Sequence, residues 1–227
     1  MNIFVVIPAY NEGERVEFVI QELLGVGLNN IIVVDDGSIN SIDHLQTKFP
    51  IILTEHVENL GQGAALKTGT ELAIELGADI IAHIDADGQH RIQDLLKLIK
   101  YLKENNDYQV AIGSRFLDNS TKLPAKKKLI LGLAKIFSQK LLMLNFSDPQ
   151  SGLRVFTSKV FPKLYWQNDD FSHCSEILSR IGRNKIQFKE LPIKVNYSDQ
   201  TNPENKSISP QISMGWKLLK DKILDKI

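Results

Sequence analysis

Residues 79–90 read DIIAHIDADGQH: an apolar run, then two carboxylates one residue apart, then a glycine. In a strand, residues i and i+2 share a face, so Asp85 and Asp87 would repel each other if the strand ran through both. Either the strand stops before them and both are solvated, or a cation sits between them. Ile80, Ile81 and Ala82 do not alternate with polar residues, so a strand here is buried on both faces. Such strands belong to parallel sheets covered by helices, and the flanking sequence agrees.

Upstream and downstream, IFVVIPA (3–9), NIIVVDDGS (30–38), IILTEH (51–56) and YQVAIGS (108–114) are further strand candidates. Between them, EGERVEFVIQELLGVG (12–27) repeats Val16, Val19, Ile20, Leu23 and Leu24 at helical spacing. GQGAALKTGTELAIELG (61–77) reads as a helix with glycine at both ends, and IQDLLKLIKYLKEN (92–105) is amphipathic. The alternation predicts an α/β fold, a Rossmann-like, mostly parallel central sheet flanked by helices, in one domain over 1–200. In such sheets ligands bind beyond the carboxyl ends of the strands. Tyr10-Asn11-Glu12, Asp35-Asp36, Glu55-His56, Asp85–Asp87 and Ser114-Arg115 each follow a run, so they should converge on one edge.

The second half is less regular. LPAKKKLILGLAKIFSQKLLMLNF (123–146) predicts a long helix after a basic start, and DPQSGLRVF (148–156) a turn into an apolar stretch. SEILSRIGRN (175–184) predicts a helix, and 185–198 has strand character. Residues 201–227 predict a mobile loop and a final helix near 211–225.

The bulk composition narrows the function. A chain of 227 residues, 43% apolar and 24% charged, is ordinary for a globular protein with one sizeable core. Formal net charge is zero, which leaves no global electrostatic footprint for nucleic acid. The single cysteine, Cys174, excludes an internal disulfide framework and fits a reducing, cytoplasmic compartment. The first residues lack a basic region and a cleavage site, so they read as a strand and not as a signal peptide. Lys135 and Lys140 interrupt the longest apolar stretch, and the tail WKLLKDKILDKI is too short and too charged to span a bilayer. Lys126, Lys127 and Lys128, with that tail, suit peripheral contact with anionic headgroups at the inner face of a membrane. A basic helix start packed on the core accounts for them equally. Composition does not give the oligomeric state.

Two carboxylates without His or Cys partners suit a hard cation, Mg²⁺ or Mn²⁺, which prefers oxygen ligands. A solvated turn with an Asp cap is the alternative. Asp35-Asp36-Gly37-Ser38 repeats the pattern on an earlier strand, and two acidic strand ends on one edge favour a ligand or ion between them. NLGQGAALKTG (59–69) is not a phosphate loop, because Leu66 stands where that loop needs glycine before Lys67. Gly61 and Gly63 at a helix start can still present N–H groups to an anion, or serve packing alone.

Taken in order, IPAYNE, VDDGS, NLGQGAALKTG, DADGQH, GSR and DPQSGLR closely resemble the family 2 glycosyltransferases of GT-A fold, over about residues 3–197. The subgroup they resemble is the dolichyl- or polyprenyl-phosphate sugar synthase-like enzymes, alongside bacterial polysaccharide glycosyltransferases. The resemblance implies a metal-dependent, inverting transferase that uses a nucleotide sugar. It implies that Pro8, Ala9, Tyr10 and Glu12 contact the base and ribose, and that Asp35 or Asp36 hydrogen-bonds the base. It extends donor binding to Gly63, Lys67 and Ala86, and gives the divalent cation to Asp85, Asp87 and Gln89. It also implies that Arg115 and Arg154 handle phosphate charge, as planar guanidinium groups suit. An acceptor-side general base falls on Glu176 or, second, on Asp148, although a phosphate acceptor would need none.

One stretch departs from the lipid-phosphate subgroup. PIKVNYSDQTNPENKS (192–207) offers Tyr197, Lys206 and Ser207, and no arginine. The expectation is therefore a cell-envelope polysaccharide, lipopolysaccharide or lipid-linked acceptor, with a polyprenyl phosphate as the alternative. A sugar nucleotidyltransferase would carry a glycine-rich, basic first loop, which PAYNEGER (8–15) does not match.

Overall fold

A computed structural model describes residues 1–117 and 146–196. The long helix expected over 123–146, with Lys126, Lys127 and Lys128, lies outside the described residues except at its last position. Tyr197, Lys206 and Ser207, the loop after 200 and the final helix also lie outside them. Seven strands form one sheet: β1 (Ile3–Ala9), β2 (Ile31–Asp35), β3 (Ile52–Glu55), β4 (Ile80–His83), β5 (Val110–Ser114), β6 (Arg154–Thr157) and β7 (Phe188–Pro192). Their spatial order is β3-β2-β1-β4-β6-β5-β7. The described helices are α1 (Gly13–Gly25), α2 (His44–Lys48), α3 (Gln62–Glu75), α4 (Ile92–Glu104), α5 (Phe161–Leu164) and α6 (His173–Arg183), with one 3-10 turn at Ser158–Val160.

Successive strand residues point to opposite faces, and the sheet has a core on each. Val5 and Ile7 of β1 face α1 and α4, where Val16, Val19, Ile20 and Leu23 meet Leu95, Leu98 and Leu102. Phe4 and Val6 face α3 and α6, where Ala65, Leu66 and Ala73 join Ile177, Leu178, Ile181 and Trp166. Burial on both sides is why the strands read as continuous apolar runs. On the second face, a Cβ at Gly69 would collide with Val6 Cγ1, so α3 lies unusually close to the sheet there.

The sheet is mostly parallel, with one reversal. β6 runs antiparallel to both its neighbours, β4 and β5. Its first residue, Arg154, therefore lies opposite His83, the last residue of β4. A strand start thus reaches the edge where the parallel strands end.

Candidate active site

The first two strand ends form one ledge. Ala9 and Asp35 are register partners, and the Asp36 N–H donates to the Ala9 carbonyl at 2.8 Å. The Asn11 N–H donates to Ser38 Oγ at 2.8 Å, and the Ile39 N–H returns to Asn11 Oδ1 at 2.9 Å. Pro8 and Ala9 are buried in this ledge, Tyr10 is exposed on it, and Glu12 pairs with Arg15 at 3.0 Å. The adjacent aspartates have different jobs. Asp36 is buried; its Oδ1 lies 2.6 Å from His56 Nδ1 and accepts the Leu60 N–H, while Oδ2 accepts the Gly61 N–H at 2.8 Å. It ties the second strand end to the start of α3. Asp35 accepts the Ser38 N–H of its own turn at 3.0 Å.

The acidic turn resolves the question posed by its sequence. β4 stops at His83, so Asp85 and Asp87 sit in a turn and not on one strand face. Asp85 is half-buried and held from two sides. Gln62 Nε2 donates to its Oδ1 at 2.8 Å, and His90 Nε2 lies 3.2 Å from its Oδ2. Burial pushes its pKa up, but the His90 hydrogen bond and the charges of His90, Arg154 and His173 outweigh that and hold it below the ordinary carboxyl range. Asp87 Oδ1 accepts the Gln89 N–H at 3.0 Å. Ala86 is buried in the core with α1 and α4, so only its backbone faces the turn. A Cβ at Gly152 would collide with the Asp85 carboxylate, so the SGLR turn must present bare backbone there.

Behind this turn lies a charged cluster. Arg154 is only 2% exposed, and its Nε and Nη1 find no hydrogen-bond partner among the described residues. His83 Nε2 lies 2.9 Å from Thr70 Oγ1; burial first, then the charges of Arg154 and His173, push its pKa well down, so it is neutral. His173 Nδ1 lies 2.8 Å from the Asp170 carbonyl, which can only accept, so that nitrogen carries a proton. Its Nε2 faces Cys174 Sγ at 3.5 Å. Burial would raise the Cys174 pKa, but Arg154 and His173 bring it to about 6.

Other expected site residues prove to hold protein together. Arg115 makes a bidentate pair with the buried Asp148, Nε to Oδ2 at 2.6 Å and Nη2 to Oδ1 at 2.7 Å. Glu176 is not an exposed helix glutamate. Its Oε2 accepts from Gln167 N, Asn168 N and Asn168 Nδ2, each at 2.9 Å, and its Oε1 accepts from Arg180 Nε and Nη2 at 3.0 and 2.8 Å. Of the two glycine N–H groups that could have met an anion, that of Gly61 donates to Asp36 Oδ2 and that of Gly63 to the Asp169 carbonyl at 2.7 Å, which also accepts the Ala64 N–H at 3.2 Å. Lys67 pairs with Asp169 Oδ1 at 2.9 Å. The structure brings Asp85, Asp87 and Gln89 into one turn with Arg154 behind Asp85, and gives Gly63, Lys67, Asp148 and Glu176 partners within the chain.

Sequence reasoning missed Gln62 and His90, the two hands on Asp85, and the cluster of His83, His173 and Cys174. Gln62 had a signal: it stands between two glycines at a helix start, where a long polar side chain has room to reach out. Among the described residues no three His, Cys, Asp or Glu side chains gather as a metal cage. A Mg²⁺-type site needs no such cage, because one or two carboxylates plus substrate phosphates suffice. The oxygen donors of Asp85 and Asp87 fit that ion type. No described helix is long and apolar enough to cross a membrane.

The family model for glycosyl transferase family 2 matches residues 4–165. The chain is 33% identical to an uncharacterized protein of Methanocaldococcus jannaschii, over 97% of this chain and 92% of that one. It is 32% identical to the UDP-N-acetylglucosamine–dolichyl-phosphate N-acetylglucosaminyltransferase of Methanococcus voltae, over 96% of this chain and 94% of that one. Among solved structures, the glucosyl-3-phosphoglycerate synthase of Mycobacterium tuberculosis in complex with Mn²⁺, uridine diphosphate and phosphoglyceric acid matches with a TM-score of 0.71. That match is 17% identical and covers 96% of this chain and 76% of that one, a likeness of fold. The GT-A architecture expected from the motifs is the one observed.

Proposed function

The chain belongs to glycosyl transferase family 2, close to the dolichyl-phosphate sugar transferases, and on that premise we propose that it moves a sugar from a nucleoside diphosphate onto a lipid-linked phosphate. The observation that carries the donor half is the acidic turn Asp85–Asp87 set against the buried charge of Arg154. The ledge of Pro8, Ala9, Tyr10 and Asp35 takes the nucleoside; Asp35, whose internal bond is one N–H of its own turn, reaches the base rather than Asp36, whose two oxygens both accept from the chain. Asp85 and Asp87, with Gln89, would hold a divalent cation, which would supply charge neutralisation to the leaving diphosphate.

The chain's own groups do the rest. Gln62 and His90 fix the Asp85 carboxylate; His90 first, then Arg154 and His173, favour its ionised form, and Arg154 adds positive potential beneath the diphosphate. A preformed field of this kind stabilises charge as it builds on the leaving group. Attack from the face opposite the leaving group inverts the anomeric carbon. A phosphate acceptor is already an anion, so no general base is assigned, and the internal bonds of Glu176 and Asp148 agree with that. The Methanococcus voltae relative supports the lipid-phosphate acceptor over the glycan acceptor suggested by residues 192–207.

Calorimetry with UDP-glucose, UDP-N-acetylglucosamine and GDP-mannose, with and without Mn²⁺, tests the donor half. If none binds with metal present, the donor reading fails. Transfer to a glycan but not to a polyprenyl phosphate in detergent would reverse the acceptor assignment.

A further inference from the structure

The turn between α5 and α6 docks on the start of α3. The Asp169 carbonyl accepts the Gly63 and Ala64 N–H groups, which supplies the cap that a helix start requires. The approach is so close that a Cβ at Gly61 would collide with Asp169 O, and one at Gly63 with Asn168 O. Gly61 also holds φ at 103°, a conformation side chains resist. Trp166 Nε1 donates to the Gly63 carbonyl at 2.8 Å, and Lys67 reaches Asp169 Oδ1. Both glycines of GQG therefore exist for this contact, and the residue between them, Gln62, is the one that reaches Asp85.

The far end of the chain of contacts is Glu176. Its Oε2 gathers the Gln167 and Asn168 N–H groups, and Arg180 one helical turn on clamps Oε1. Without that carboxylate, three donors of the turn, on the exposed Gln167 and the half-buried Asn168, lose the one acceptor that gathers them, and the turn loses the bonds that fix its shape. We propose that Glu176 is a positioning residue for Asp85: it shapes the 166–169 turn, the turn caps α3, and the capped first turn of α3 aims Gln62 at the carboxylate. Glu176 acts through the protein and transfers no proton. The inference rests on the donor-side reading of Asp85, and its hydrogen-exchange readout does not.

The test uses Glu176→Ala, Glu176→Gln and Gly63→Ala in the full chain. Amide hydrogen exchange at Gly63 and Ala64, without ligand, should accelerate at least tenfold in Glu176→Ala and stay near the parent rate in Glu176→Gln, which keeps an acceptor oxygen for the turn. Parental exchange in Glu176→Ala overturns the proposal whatever the protein's substrate. Mn²⁺-dependent UDP affinity, read by calorimetry, should fall about tenfold in Glu176→Ala and Gly63→Ala alike. The double variant should be no weaker than either single one, because both act on one contact. Undiminished UDP affinity in a folded Glu176→Ala overturns the positioning role, and so does full additivity. In turnover, the acidic limb of the pH–rate profile should persist in Glu176→Gln; its disappearance would make Glu176 a base and overturn the proposal. If the parent binds no UDP with Mn²⁺, the donor reading fails, while the exchange rates still decide the structural claim.

Discussion

Asp85 shows how much a single carboxylate depends on distant sequence. Its motif was legible because two acids and a glycine after an apolar run are conspicuous, but its partners were not. Gln62 lies 23 positions upstream, and no local rule joins them. Asp87→Ala should abolish the Mn²⁺-dependent part of UDP binding, while the free protein, losing turn contacts such as the Gln89 N–H bond worth about 1 kcal/mol, stays folded with a melting temperature lowered by only about 4 °C. Unchanged metal-dependent affinity in calorimetry would remove the metal role. Cys174 gives a second test at this scale, and a clean one because the chain has a single cysteine. Its folded pKa, about 6, lies below the value of about 8.5 for a free thiol. The unfolded chain therefore binds more protons between those values, so this group's contribution to stability is full above about 8.5, is lost as pH falls toward about 6 and is absent below that. Thiolate absorbance at 240 nm should titrate near pH 6 in the folded protein, and Arg154→Met should move the midpoint upward. A midpoint at or above that of a free thiol would show that Arg154 lacks this counter-charge.

At the scale of elements, helices α1 and α4 were legible from periodicity, because their buried residues recur at helical spacing and pack on one face. At the start of α3 the sequence left two readings open, an anion site or packing alone, for a physical reason. An open helix end and a capped one have the same local sequence, and the cap comes from a carbonyl about a hundred residues away. The reversal of β6 was equally hidden, since a strand buried on both faces reads the same in either direction. Trp166 is fully buried among Phe161, His83 and His173 and donates to the Gly63 carbonyl. Trp166→Ala should cost ~3–5 kcal/mol, the range for deleting a large core side chain. Denaturant melts would read it, and a cost near zero would mean that α3 and the 165–172 turn are not docked as described.

For the whole molecule, the order of motifs along the chain becomes the order of contacts along one sheet edge. The alternation of apolar runs and helices fixed most of that edge, because parallel connections bring every strand end to the same side. What escaped was the second half, where single short elements, α5 and the 165–172 turn, gain their meaning only from what they touch. UDP with Mn²⁺ should raise the melting temperature of the intact protein. At a hundred times Kd the gain is ~2.7 kcal/mol, and for 150–250 residues that corresponds to roughly 5–10 °C. UDP alone should give a much smaller shift. Equal shifts with and without Mn²⁺ would argue against a shared metal–diphosphate site.

The Arg115–Asp148 pair has a further meaning once its sequence separation of 33 is considered. Both ends of the intervening stretch are fastened at one point, beside the edge where the strands finish. The sheet registers with its neighbours whatever lies between, since β5 precedes the clasp and β6 follows it. Closing a longer or shorter excursion changes the entropy only slowly, by about 0.6 kcal/mol for each doubling of length. The clasp thus fixes the end of β5 and the approach to β6 at one point, so the register of both strands does not depend on the length of chain between Arg115 and Asp148.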